Sequence, residues 1–121
     1  MTRRQLFCAA GASLPALAGA GFRPKVGTNL YSFRYLAEKD LPATLSLIRQ
    51  LGFEEVEAGD LYGRAPAQFQ GLLKAAGLRA TSIGAAYDAL DQNLEAVAAH
   101  AHALGADYVV CSTIPHSAKH L

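Results

Sequence analysis

Three helical stretches in this sequence end in a glycine that is followed at once by an apolar, strand-like run: Gly52-Phe53 into Val56, Gly77-Leu78 into Ile83, and Gly105-Ala106 into Val110. The joints stand 25 and 28 residues apart, the length of one strand plus one helix. Strands separated by helices run parallel and are joined by right-handed crossovers. The sequence therefore predicts an α/β fold of parallel β/α repeats, with the loops that follow the strands gathered on one side. Four such strands fit in 121 residues, whereas a closed (β/α)8 barrel takes about 250. The expectation is the first half of such a barrel, four strands with open edges.

Hydrophobic periodicity places the elements. Val26 to Phe33 alternates as a first strand, and 34–39 reads as a loop. Asp40 is a candidate N-cap with Pro42 in the first turn, and Leu41, Leu45, Ile48 and Leu51 form an apolar stripe that Gly52 terminates. Strand two is expected at Glu54–Ala58. A loop, 59–66, carries Asp60, Tyr62, Gly63 and Arg64. A second helix follows from about Pro66 to Ala76 with Phe69, Leu72 and Leu73 inward. Strand three is Arg79–Ala85, and Asp88 to Asp91 lead into a third helix with Leu94, Val97, Ala98, Ala101 and Leu104 buried. Asp107–Thr113 make strand four, closed by Pro115.

The first twenty residues read as an export leader. Arg3-Arg4 give the positive start, Leu6 to Leu17 a short apolar stretch, and Ala18-Gly19-Ala20 a small-residue cleavage pattern. Thr2-Arg3-Arg4-Gln5-Leu6-Phe7 resembles the signal of the twin-arginine route, which carries folded proteins across the bacterial inner membrane into the periplasm. Pro15 and the shortness of the apolar stretch argue against a stable membrane span. Residues 1–20 are thus assigned to the signal peptide and 21–121 to the partial barrel. Cleavage after Ala20 removes two arginines and no acid, taking the formal charge from +1 to −1. Neither value gives an electrostatic footprint for nucleic acid. Cys111 remains as the one mature cysteine, within the apolar run Tyr108 to Cys111, and is expected to be a buried structural thiol.

Candidate site residues are sought at the carboxyl ends of the strands, where parallel α/β folds place their chemistry. Asn29, Tyr31 and Arg34 form a polar group at the end of strand one, suited to hydroxyls or phosphate. Glu57 follows Val56 near the end of strand two, so if Val56 faces the helices Glu57 faces the sheet axis. A carboxylate there requires a cation or hydrogen-bonding partner. His116 and His120 have i, i+4 spacing but no third ligand, and His100 and His102 point in different directions, so no metal site is assigned. No phosphate-binding glycine loop or nucleophile elbow is present.

Gly27-x-x-Leu30-Tyr31-Ser32-Phe33-Arg34, Asp40-Leu41-Pro42-x-Thr44-Leu45, Leu51-Gly52-Phe53-Glu54-Glu55-Val56-Glu57 and Leu61-Tyr62-Gly63-Arg64, taken in order, resemble the start of the sugar phosphate isomerase/epimerase family, the xylose-isomerase-like TIM barrels. Ala75-Ala76-Gly77-Leu78 and Leu104-Gly105-Ala106-Asp107-Tyr108-Val109-Val110 are similar to the family's third and fourth strand starts. The resemblance implies a sugar or sugar phosphate as substrate. It also implies a divalent metal (Mn, Mg, Co or Zn) in the full-length form that assists proton transfer next to a carbonyl. Tyr31, Arg34 and Glu57 are carried over as substrate-binding positions. The catalytic residues are left unassigned, because the family's metal ligands lie on later strands. The chain alone is accordingly expected to be inactive, and to need either a second copy or a carboxyl-terminal half. Strand three ends in Gly84 where many relatives carry a histidine, which leaves a non-catalytic carbohydrate-binding barrel open; a small self-contained flavodoxin-like binding module is the other alternative.

Overall fold

The computed structural model describes Gly21 and residues 23–116. The expected leader, 1–20, and His120 lie outside the described residues. Four strands, β1 (Gly27–Asn29), β2 (Glu55–Ala58), β3 (Arg79–Gly84) and β4 (Tyr108–Val110), form one sheet. Five helices accompany them: α1 (Arg34–Ala37), α2 (Leu41–Gln50), α3 (Pro66–Ala75), α4 (Tyr87–Gln92) and α5 (Leu94–Leu104). Every neighbouring pair of strands is parallel, and the spatial order β1-β2-β3-β4 repeats the sequence order.

That order decides between the architectures open to such repeats. A flavodoxin-like sheet reverses direction at a switch point, in the order 2-1-3-4-5, and carries helices on both faces. Here the order never reverses, so right-handed crossovers place successive helices on the same face. The arrangement is that of consecutive units of a β/α barrel wall.

Local chemistry accounts for the joints. Asp40 caps α2 through Oδ1, which accepts from the Ala43 amide at 3.0 Å, and Asn93 caps α5 by accepting from the Ala96 amide at 3.2 Å. Gly52, Gly77 and Gly105 all take positive φ, the left-handed turn that releases a helix into the following strand. At Gly105 a Cβ would also lie 3.1 Å from the Gln70 side chain.

The core lies between the sheet and its helices. Leu30, Leu41, Leu45, Ile48, Val56, Phe69, Leu73, Ile83 and Leu104 are its largest buried members. Leu41, Leu45 and Ile48 come from one stripe of α2, and the α3 contributions are Phe69 and Leu73. Thr44 completes the α2 face by donating its hydroxyl to the Asp40 carbonyl at 2.7 Å, which lets a polar side chain be buried.

Several expectations need correction. The first strand ends at Asn29, because the Asn29 side chain accepts from the Tyr31 amide at 2.8 Å and turns the chain into a 3-10 segment, Leu30–Phe33. Residues 34–37, expected as loop, continue it as α1. Leu51 and Leu94 are exposed rather than buried, since both sit at helix ends where the stripe has rotated off the core. Strand four stops at Val110. Cys111 is half-buried and its thiol meets the Thr113 carbonyl at 3.5 Å, so it is not the core thiol expected.

Candidate functional site

Alternation along the strands sends Val56, Ala58, Ala80 and Ile83 into the helix-covered core. Their neighbours emerge on the opposite, open face in two rows. Near the amino ends, Arg79 pairs with Glu55 at 3.9 Å and with Asp107. Near the carboxyl ends, Glu57 sits between Asn29 and Ser82. Asn29 Nδ2 donates to Glu57 Oε1 at 2.9 Å, and Ser82 Oγ donates to Glu57 Oε2 at 3.3 Å. The register aligns these residues across three strands, with Asn29 opposite Glu57 and Glu57 opposite Ser82.

Glu57 therefore faces the sheet axis, as alternation predicts, and Val56 is fully buried behind it. Both carboxylate oxygens accept a hydrogen bond from a neutral group, which fixes the carboxylate and leaves each oxygen a further acceptor position. Asn29 links this row to the adjacent turn, because its Oδ1 accepts from the Tyr31 amide while its Nδ2 holds Glu57.

Tyr31 and Arg34 lie on that turn. The Arg34 guanidinium is stacked between two rings, 4.2 Å from the centroid of Tyr31 and 4.3 Å from that of Tyr35. It donates to the Tyr31 carbonyl at 3.0 Å and to the Tyr35 hydroxyl at 3.2 Å. The structure thus joins Tyr31, Arg34 and Glu57 through one chain of contacts, with Asn29 as the link. Arg34 forms no ion pair with Glu57.

The loop between β2 and α3 forms the other wall. Tyr62 is the one non-glycine residue at positive φ among the described residues, at +53°, and Gly63 follows at +73°. The Leu61 carbonyl accepts from the Arg64 amide at 3.1 Å, which makes a tight turn of the kind that prefers Asn-Gly. A tyrosine in that conformation costs about 1–3 kcal/mol. Its neighbours hold it: Asp60 Oδ1 accepts from the Tyr62 amide at 2.7 Å, Arg64 donates to the Tyr62 carbonyl at 3.0 Å, and the ring packs on the core. Burial first, then the Asp60 and Glu38 carboxylates, raise the Tyr62 phenol above its ordinary value, against the opposing effect of Arg34. The phenol is therefore a hydrogen-bond donor at neutral pH.

Ser82 escapes sequence reading because the register shifts between Val56 and Glu57, leaving an extra residue in β3 and changing the parity of its alternation. Tyr62 is visible in the sequence as a loop residue, but Tyr-Gly does not announce a left-handed turn. Gly84 lies exposed at the end of β3, with nothing within 4 Å of where a Cβ would stand. Among the described residues no three His, Cys, Asp or Glu side chains come together to hold a metal ion. His116 Nδ1 meets the Ile114 carbonyl at 3.2 Å. No described helix is long and apolar enough to cross a membrane.

No family model and no curated protein matches the chain. A solved structure does: the crystal structure of a sugar phosphate isomerase/epimerase from Parabacteroides distasonis ATCC 8503 at 1.70 Å resolution, with a TM-score of 0.65 and 20% sequence identity. The two share a fold. The match covers 82% of this chain and 42% of that one, so the chain spans less than half the length of its neighbour. At this identity the likeness concerns the backbone architecture, and any functional weight rests on the side chains of the open face.

Proposed function

We propose that the chain forms the substrate wall of a sugar or sugar phosphate isomerase/epimerase-like β/α barrel. One observation carries the reading: an oriented carboxylate, Glu57, held by Asn29 and Ser82 on the open face at the carboxyl ends of parallel strands. A carboxylate fixed by two neutral donors is suited to accept hydrogen bonds from sugar hydroxyls. Asn29 and Ser82 keep it aimed, while the Tyr31–Arg34–Tyr35 stack closes the adjacent edge. The likeness of fold to the Parabacteroides isomerase/epimerase supports the same reading.

The divalent ion implied by the sequence resemblance finds no group of three ligating His, Cys, Asp or Glu side chains among the described residues. The role derived for this chain is to bind and orient the sugar. Exposed Gly84, which offers no side chain at the end of β3, favours the second reading of a wall that binds carbohydrate without turnover.

Deuterium wash-in separates them. Aldoses, ketoses and their phosphates are incubated in D2O with the barrel of which this chain forms the wall, and NMR follows deuterium entering the carbon next to the carbonyl. Incorporation that is lost in Glu57→Gln is expected for the isomerase/epimerase reading. Binding without incorporation selects the carbohydrate-binding reading, and absence of both overturns the proposal. We also propose export through the leader at 1–20, expected to appear as periplasmic protein that becomes cytoplasmic when Arg3 and Arg4 are replaced by lysine.

A further inference from the structure

A cavity of about 120 Å³ opens beside the Glu57 row, between the 3-10 turn and the β2–α3 loop. Its lining includes Tyr31, Arg34, Glu38, Gly59, Asp60 and Tyr62. Gly59 is two residues along the chain from Glu57, and the Tyr31 amide is bonded to Asn29, so the cavity continues the same rim. Its volume matches about four waters, the size of a short polyol end.

The charge of the lining points to one class of ligand. Two carboxylates, Glu38 and Asp60, face a single guanidinium, Arg34, whose stacked plane already serves two tyrosines and the Tyr31 carbonyl. A second cavity that shares Glu38, Asp60 and Tyr62 with the first keeps the same bias, adding Asp40 against Lys39 and Arg64, with Arg64 donating to the Tyr62 carbonyl. A phosphate carries about −1.5 to −2 charges at pH 7 and would meet net negative potential in both. Sugar hydroxyls suit this lining, because each can donate to a carboxylate and accept from a phenol.

We infer that this cavity receives the uncharged, hydroxyl-bearing end of an unphosphorylated sugar, and that Tyr62, which lines both cavities, is the residue that bounds it and donates to that end. The inference rests on the reading of the open face as a sugar site and deepens it by choosing the neutral sugar over the phosphate. It also gives a reason for a tyrosine at a turn position that asparagine would occupy without strain.

The test uses the full chain with xylulose and xylulose 5-phosphate as probes, followed by calorimetric titration and by amide NMR. The inference predicts that xylulose binds at least tenfold more tightly than its phosphate, that the preference shrinks in 1 M salt, and that shifts include Tyr31, Gly59 and Tyr62 as well as Glu57. Tyr62→Phe keeps the ring packing and should weaken xylulose binding about fivefold, the loss of one neutral hydrogen bond. Glu38→Gln should narrow the gap between the two probes. Equal or tighter binding of the phosphate, or shifts confined to Asn29, Glu57 and Ser82, would overturn the inference and leave the sugar-wall reading intact. Absence of shifts at Glu57 with either probe would overturn both.

Discussion

The two ends of one sheet face treat their carboxylates differently. At the amino ends, Glu55 and Asp107 flank Arg79, so opposite charges are matched within the protein. At the carboxyl ends, Glu57 is met by an amide and a hydroxyl, and its negative charge is oriented without being neutralised. The first row is satisfied by its own members. The second keeps a charge and free acceptor positions directed at whatever occupies the open face. Parallel α/β folds divide labour in this way, with stability assigned to the amino ends of the strands and chemistry to the carboxyl ends.

Both rows depend on the same core, and the largest effect should remove them together. Phe69→Ala empties a fully buried site behind the sheet and should cost about 3–5 kcal/mol in urea unfolding. Retention of sugar binding in an unfolded or molten variant would break the link between core and rim. A sharper contrast comes from Glu57→Gln and Arg79→Gln. The first should weaken sugar binding by about tenfold or more, since a charge-assisted hydrogen bond contributes about 1.5–3 kcal/mol, with little change in the unfolding midpoint. Arg79 is exposed, and its replacement should leave binding unchanged. Equal losses in the two variants would erase the distinction between the rows.

Gly105→Ala acts on the amino-end row alone. Its φ of +70° and the nearby Gln70 side chain oppose a Cβ, and the residue lies two positions before Asp107. A cost of about 1–2 kcal/mol is expected, with sugar affinity retained. The smallest effect concerns Tyr62. Its phenol is raised in the fold above the ordinary value of 10.0, so its contribution to stability is fully present below about pH 10 and is lost as the pH rises through the folded value. Tyr62→Phe should flatten the alkaline limb of the stability profile in thermal melts followed upward from the ordinary tyrosine value of 10.0. An unchanged limb would show that the phenol is not the titrating group there.

The scaffold was more legible than the site. The three glycine joints announce parallel repeats, and each takes the left-handed turn that its position requires. Glu57 was readable because β2 alternates without interruption beside a buried valine. Ser82 was not, because a register shift in the pairing of β2 with β3 changes which residues of β3 share the face of Glu57. Asn29 was readable as polar but not as the residue that ends β1, since that depends on its side chain capturing the Tyr31 amide. The exposed Leu51 and Leu94 show the same limit: a stripe predicts the middle of a helix well and its ends poorly.

The most direct measurement is an amide NMR titration of the full chain with a neutral sugar such as xylose, reading the two rows side by side. Saturable shifts are expected at Asn29, Glu57 and Ser82, with a midpoint about tenfold or more higher in Glu57→Gln and with Glu55, Arg79 and Asp107 unmoved. Shifts centred on the Glu55–Arg79–Asp107 row, or a midpoint at the Glu57 row that Glu57→Gln leaves unchanged, would overturn the assignment of the sugar site to the Glu57 row.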